Sequence, residues 1–583
     1  MPKANYLLCV AWPYPNGELH VGHVSGAILP ADIFARYQRI RGNKVLMISG
    51  SDAHGTPVMI LAEKEARSCK ETLKDYHGRF LKNLKDLEIS FDLFTHTDTA
   101  NHHRLSQEMI ARLFENGFLS PRSQKQLFSQ SKNRFLPDRL VEGTCPNCGH
   151  DKARGDQCDS CGKLLDAIEL KDPRSRLDGD IPVIKESEHL YFDLPKLQKK
   201  LLEYLSPKEK FWRHNVWAES MKFAEELQAR AFTRDLDWGI KTGIKGFEEK
   251  CIYVWYEALL GYLTAPYELS KMLGQPDLWR DFWSGNNCQI YNFIGKDNVL
   301  FHTIIWPAML IALDKSLPSM GTPEKLNLPY DTPANQFLNL SGQKFSKSLG
   351  VILNICDLLP LYGTDSLRFY LTYNMPEHKD SEWNTDDLIA KSDSELLAKW
   401  GNLIQRVLSF AWKNFDGAVP EAGDLQTADY ELLNRVEKAF ENVGTNFANC
   451  SFRAALMEIL ELVSEVNRYI DSQAPWRTIK DNRKRAASQI AVAACAIDSL
   501  ATLLAPITPT LSEKVRALLG AKEPLVPTPT IQESPLKEEE HQILLLNRPI
   551  ETSADLWKPS NLLGGVKLTK EPEALVRKLA SPQ

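Results

Sequence analysis

An apolar run of strand length, Tyr6 to Val10, meets the turn Pro13-Tyr14-Pro15-Asn16-Gly17 and then His20-Val21-Gly22-His23 at the start of a helical pattern. Val24 to Arg41 keeps helical spacing through Ile28, Ile33, Phe34, Tyr37 and Ile40. Gly42-Asn43 reads as its C-cap, and Val45 to Ile48 as a second apolar strand. Strand, helix, strand is a βαβ unit, which commits this part of the chain to a parallel sheet with its ligand crevice at the carboxyl ends of the strands. The helix start favours an anion before any side chain is counted, because its first N–H groups are unpaired and the dipole is positive there. His20 and His23, three apart, share one face of that turn, and Gly22 lets a ligand come close to the backbone. Gly50-Ser51-Asp52-Ala53-His54-Gly55-Thr56-Pro57 follows the second strand at the expected crevice, where Asp52 suits either a ligand ammonium or a helix N-cap.

A chain of 583 residues is too long for one core, so two to four domains are expected. Its formal net charge of -5 excludes a generally cationic nucleic-acid coat and leaves room for a local basic face. The longest apolar run, Ile490 to Leu504, is broken by Asp498 and reads as a buried helix, with no membrane span expected. The first residues form the strand itself and carry no cleavable leader pattern. Of the 11 cysteines, four are clustered and seven scattered, which is metal usage plus buried thiols. A cytoplasmic location is the expectation.

Met59 to Leu87 and His102 to Asn116 read as amphipathic helices. After Ser120 the texture changes to Pro, Gly and Cys in an insertion running to about Asp237. Strand signals return at Cys251 to Trp255 and at Gln289 to Ile294, so the insertion splits one nucleotide-binding domain. Within it Cys145-Pro146-Asn147-Cys148-Gly149 and Cys158-Asp159-Ser160-Cys161-Gly162 each put two thiolates on a tight turn. Two such knuckles make a four-sulfur zinc site with no open position, hence structural. Such an ion contributes on the order of 10 kcal/mol to local folding, more than a small loop-rich insertion gains from its own core.

Further on, Phe301-His302-Thr303-Ile304-Ile305-Trp306 places His302 and Trp306 on one helical face, as core or as pocket wall. Ser341-Gly342-Gln343-Lys344-Phe345-Ser346-Lys347-Ser348-Leu349-Gly350 offers ammonium and hydroxyl donors between glycines, which suits a phosphate-gripping loop or a solvated basic turn. From about Thr385 to Leu519 amphipathic helices follow one another as a bundle. There Asn402 and Arg406 share a face, and Trp476 precedes Lys480, Arg483, Lys484 and Arg485. This is either a solvated helix end or the stacking and edge-bonding chemistry that unstacked bases require. Ala521 to Gln542, rich in Pro, Thr, Glu and Lys, reads as a linker, and the rest adds no further domain.

Taken together, these segments resemble the methionyl-tRNA synthetases, class I aminoacyl-tRNA synthetases. In that family His20-Val21-Gly22-His23 corresponds to the signature HIGH and Lys344-Phe345-Ser346-Lys347-Ser348 to KMSKS, and the likeness runs from Tyr6 to about Lys484. The fold implied is α/β: a split Rossmann-type catalytic domain (1–119 and 238–330) around a connective insertion with the zinc knuckle (120–237). It continues through the KFSKS loop and stem-contact region (331–385), an all-α anticodon-binding bundle (386–520) and a tail (521–583). The resemblance implies His20, His23, Lys344 and Lys347 as catalytic phosphate contacts, with Gly295 and Asp297 also on ATP. It implies Ala11, Trp12, Tyr14, Asp52, Trp255, Tyr262, His302 and Trp306 around methionine, Asp52 on its ammonium, and Tyr262 able to donate to the sulfur. It implies Asn402, Arg406 and Trp476 as anticodon readers, and Cys145, Cys148, Cys158 and Cys161 on zinc. ATP with Mg2+, L-methionine, and initiator and elongator tRNA(Met) are the implied partners, and a monomer is expected. The sequence departs from the family at Trp12, where many members carry Leu, at Gly26, where some carry an acid, and in Glu257-Ala258-Leu259, where one branch has Asp-Ala-Pro.

Overall fold

The computed structural model describes residues 3–155, 158, 160–161, 165–176, 178–313, 317–321, 325–340, 343–344, 352–538 and 540–580, with the backbone alone at 139, 343 and 344. At its centre five parallel strands are β1 (Asn5–Val10), β2 (Lys44–Ser51), β3 (Leu93–His96), β4 (Cys288–Gly295) and β5 (Ala334–Asn335). Their order is β5-β4-β1-β2-β3, so the chain reverses direction of sheet growth beside β1. That reversal opens a crevice at the carboxyl ends of β1 and β4. Leu7, Leu8, Cys9 and Val10 are all fully buried because helices cover both faces. Leu7 and Cys9 point into one core with helices α2 (Ala100–Glu115) and α3 (Val254–Met272). Leu8 and Val10 point into another with helix α1 (21–40).

The expectation of a loose tail after residue 520 fails. Strand β7 (Gln542–Leu545) pairs antiparallel with β3, and β6 (Thr530–Glu533) pairs with β7, giving a sheet of seven strands. Ile543 and Leu544 are buried on opposite faces. An uncovered β3 would leave a row of unpaired N–H and C=O groups, which β7 satisfies. Downstream, Trp557 packs against Tyr37, Phe440 and Phe447 and donates its indole N–H to the Phe440 carbonyl at 3.0 Å. Gly564–Lys567 then pairs with Ala418–Glu421 of the helical region.

The insertion is built on the antiparallel pair Leu119–Ser129 and Val183–Phe192. Cys251–Ile252 pairs with Thr233–Arg234 outside the main sheet, and Trp255 stands on the first turn of α3 rather than on a strand. Helices α4 (Asn402–Asn414), α5 (Thr427–Ala448), α6 (Phe452–Gln473) and α7 (Arg483–Leu504) form the bundle. Helix α7 is apolar and long enough to cross a membrane, yet it is the buried core helix of that bundle.

The bundle and the α1 face of the sheet share one continuous core. At their junction lies Arg368, fully buried on the helix Thr364–Tyr373. Its guanidinium donates to Asp32 Oδ2 of α1 at 2.6 Å and to the carbonyls of Leu87, Pro506 and Ile507 at 3.1, 2.8 and 2.9 Å.

Candidate active site

A cavity of about 330 Å³ opens at the carboxyl ends of β1, β2 and β4. It is lined by Ala11, Trp12, Tyr14, His20, His23, Asp52, Trp255, Tyr262, Gly295, Asp297 and His302, eleven residues singled out above. Within α1, Val24–Ile28 forms a π-helical turn that follows the two histidines directly. Their rings stack with centroids 3.7 Å apart, and the His20 backbone N–H lies 3.4 Å from His23 Nδ1. Accepting there leaves the His23 proton on Nε2, and His23 lines the cavity. His20 also bridges to Asn354, Val21 N–H donates to the Leu353 carbonyl, and Ile355 N–H to that of Leu19. The segment following the KFSKS loop is therefore pinned to the histidine turn. Lys347 and the rest of 345–351 lie outside the described residues. Lys344 closes the strand Gln343–Lys344, paired with Leu338–Leu340, and its side chain is likewise outside them.

The opposite wall is aromatic. Trp255 stacks on Phe301 at 4.6 Å and meets Tyr14 edge-on at 6.4 Å. Trp12 fits because two glycines make room: a Cβ on Gly50 would lie 2.1 Å from its ring and one on Gly261 2.6 Å. His302 donates from Nδ1 to the Asn298 carbonyl at 2.9 Å, and burial holds its pKa down near 4, so the ring is neutral and Nε2 accepts. The Tyr262 hydroxyl, 2.8 Å from that Nε2, gives its proton there. This corrects the expectation that Tyr262 donates to a ligand sulfur. Trp306 is a second difference. It is fully buried behind Tyr262, at 6.2 Å edge-on, and does not line the cavity, because its turn of helix faces the core.

Asp52 sits between the two walls, almost wholly buried, with Oδ1 lacking a hydrogen-bond partner. Burial, and then the nearby Glu257 carboxylate, push its pKa well above the usual carboxylate range, while His54 pulls it back. An ammonium is what such a carboxylate lacks. Residues to which the sequence assigns no ligand role, among them Asn298, Phe301, Gln336, Phe337 and Leu338, also line the cavity. Phe301 opens the run that carries His302, whereas 336–338 carry no motif and reach the site just after β5.

The four knuckle cysteines lie within 4.8 Å of one another, Cys145 and Cys161 sulfurs 3.9 Å apart and Cys148 and Cys158 3.6 Å. Sulfurs on a tetrahedral ion at 2.3 Å bond length are about 3.8 Å apart, whereas a disulfide needs about 2 Å. The group therefore fits a metal ion. In the bundle, Arg406 lies over the Trp476 ring at 5.7 Å and is held by Asp471 at 2.7 Å and Asn467 at 3.2 Å. Asn402 is exposed one helical turn earlier on the same face of α4.

Comparison with known proteins decides the family. The model of class I tRNA synthetases (M) matches residues 6–408, and that of the anticodon binding domain of methionyl tRNA ligase matches 419–537. The chain belongs to the methionyl class I tRNA synthetases. This synthetase is 48% identical to the methionine-tRNA ligase of Thermomicrobium roseum over 98% of its own length and 96% of the relative's. It is 44% identical to that of a Roseiflexus species, covering 99% and 96%. A solved methionyl-tRNA synthetase from Mycobacterium tuberculosis, in complex with methionyl-adenylate, has a TM-score of 0.73 at 25% identity and covers 94% of this chain and 100% of its own. Another structure of that enzyme, bound by methionyl-adenylate, has a TM-score of 0.75 at 24% identity, covering 99% and 100%, and supports the fold.

Proposed function

We propose that this synthetase attaches methionine to its tRNA in two steps inside the β1/β4 cleft. The methionine carboxylate attacks the α-phosphate of ATP, forming methionyl-adenylate and releasing pyrophosphate. The terminal ribose hydroxyl of tRNA(Met), initiator or elongator, then takes the methionyl group and AMP departs. The observation that carries this is one cavity holding a phosphate-suited histidine turn, a buried carboxylate with one oxygen unpartnered and an aromatic wall. Sulfur-to-ring contacts favour a thioether against Trp12, Tyr262 and Trp255. Neither histidine serves as a base in the first step, because the attacking carboxylate is already ionised at neutral pH. His20 and His23 act as donors to the charge that develops on phosphate, joined by Lys344 and Lys347. Gly295 and Asp297 face the nucleotide, and Mg2+ enters with ATP.

The Cys145, Cys148, Cys158 and Cys161 set holds zinc, which braces the insertion and leaves no open position for chemistry. Asn402, Arg406 and Trp476 read the CAU anticodon by stacking and edge hydrogen bonds.

Exchange of pyrophosphate into ATP tests the reading. It is expected to depend on methionine and not on leucine, isoleucine, valine or cysteine, and no exchange with methionine overturns it. Asp52→Asn removes the ammonium's partner and is expected to raise KM for methionine about hundredfold while KM for ATP holds. The purified chain is expected to carry one zinc. Cys158→Ser should lose it and expose the segment around residues 138–176 to limited proteolysis, and a zinc-free native chain rules the zinc assignment out.

A further inference from the structure

The amino-acid end of the cleft gathers three carboxylates from separate parts of the chain. Asp52 follows β2, Asp98 precedes α2, and Glu257 stands on the first turn of α3. Glu257 is fully buried, and its Oε2, like Asp52 Oδ1, has no hydrogen-bond partner. Among the described residues, the positive charge bearing on Asp52 is His54, which also donates a backbone N–H to the Asp52 carboxylate.

The His54 ring is 2 % exposed and lies between the other two acids. Its Nδ1 is 2.5 Å from Glu257 Oε1 and its Nε2 is 3.4 Å from Asp98 Oδ1. Ionised carboxylates only accept, so a ring facing one at each nitrogen carries a proton on both and is an imidazolium. Burial lowers its pKa, but the two acids outweigh burial and raise it to about 10. Trp238 covers the ring at 5.0 Å and donates to the Ala53 carbonyl, which shuts out water from that side. The remaining titratable neighbours add little charge at the inner face. His102 is held neutral by burial and engages Thr264, His96 is likewise driven neutral, and His103 bonds the outer edge of Asp98 at 2.9 Å. The nitrogens of His54 and His103 and the oxygen of Asp98 lie within reach of one cation, but a ring donating from both nitrogens has no lone pair to give it.

We propose that His54 is a positioning residue for the amino-acid subsite: clamped between Glu257 and Asp98, it supplies the buried positive charge that favours the ionised form of Asp52 and helps aim that carboxylate at the substrate ammonium. Glu257 orients that charge and, as a second anion, adds to the pull on the ammonium. The proposal rests on the reading of Asp52 as the ammonium's partner. Without the imidazolium, Asp52 and Glu257 would face each other uncompensated in a low-dielectric site, and Asp52 would take up a proton at higher pH.

The test compares the full wild-type chain with His54→Asn in methionine-dependent pyrophosphate exchange across pH. In the variant, KM for methionine at neutral pH is expected to rise about tenfold, with KM for ATP within about twofold. The acid limb of kcat/KM for methionine is expected to move up by about one pH unit. A purely structural role would lower kcat and leave that limb in place, which overturns the proposal. Nitrogen-15 spectra of the histidine-labelled wild-type chain decide the matter even if the variant does not fold. One imidazolium is expected to persist above about pH 8, and a neutral His54, or one coordinating a metal, overturns the proposal. Wild-type chain without methionine-dependent exchange would instead sink the functional reading itself.

Discussion

In a chain carrying His23→Ala, kcat for methionine-dependent pyrophosphate exchange is expected to fall by two to three orders of magnitude, about 3 to 4 kcal/mol of barrier, with KM for methionine little changed. His23 accepts from the His20 backbone at Nδ1, so its Nε2 proton is fixed toward the cleft by the fold and not by the ligand. A donor already oriented costs no reorganisation when negative charge builds on the phosphate. Methionine is held elsewhere, by Asp52 and the aromatic wall, which is why kcat and KM should separate. His23→Gln keeps a donor near the same place and should recover part of the loss. A His23→Ala chain within tenfold of wild type would remove His23 from the chemistry.

The largest expected effect on stability is at the domain junction. Arg368→Met is expected to cost about 3 to 5 kcal/mol, read as a lower midpoint in denaturant, because it strips one partner from a fully buried Asp32 and orphans three carbonyls. Burial raises the Asp32 pKa, but Arg36, Arg368 and the Ser90 hydrogen bonds more than reverse this and bring it to about 2, below its ordinary 3.8. A depressed carboxylate pKa stabilises the fold above the ordinary value and ceases to do so as pH falls through the folded one. Asp32 thus contributes about 2 kcal/mol at neutral pH that is lost between roughly pH 4 and pH 2. In the Arg368→Met chain this acid loss should begin at higher pH. Asp32→Asn combined with Arg368→Met should cost less than the two changes added, since no buried charge is then abandoned. An Arg368→Met chain less than about 1 kcal/mol weaker would mean that water or Arg36 replaces the lost contacts.

Local signals proved readable where a single stretch of chain decides the outcome. The βαβ opening, the paired knuckles and the helical bundle all depend on spacing within a few tens of residues, and each stands where the sequence put it. The unread parts depend on partners far along the chain. Gln542–Leu545 holds only three apolar residues beside a Glu-rich stretch, and only the open edge of β3 makes it a strand. His54 looks like one more polar loop residue until Glu257 arrives from α3. The Tyr262 hydroxyl was free to be assigned to the ligand until the neutral His302 claimed it. Trp306 shares a helical face with His302, yet a face wide enough to hold both also reaches past the cleft into the core.

The tail strand sets an order of events during synthesis. His77 on the helix Cys69–Asp86 bonds the carbonyl of Gln542, 465 residues later, and β3 lacks its neighbour until that region has emerged. The nucleotide domain, although first to be made, keeps an open edge through most of translation, when pairing with another chain is the hazard. Closing so long a loop is slow but adds little to the thermodynamic cost. Strand β7 therefore completes a sheet begun far earlier: a chain cut short before Gln542 has every residue that lines the cleft and still lacks the strand that closes the β3 edge.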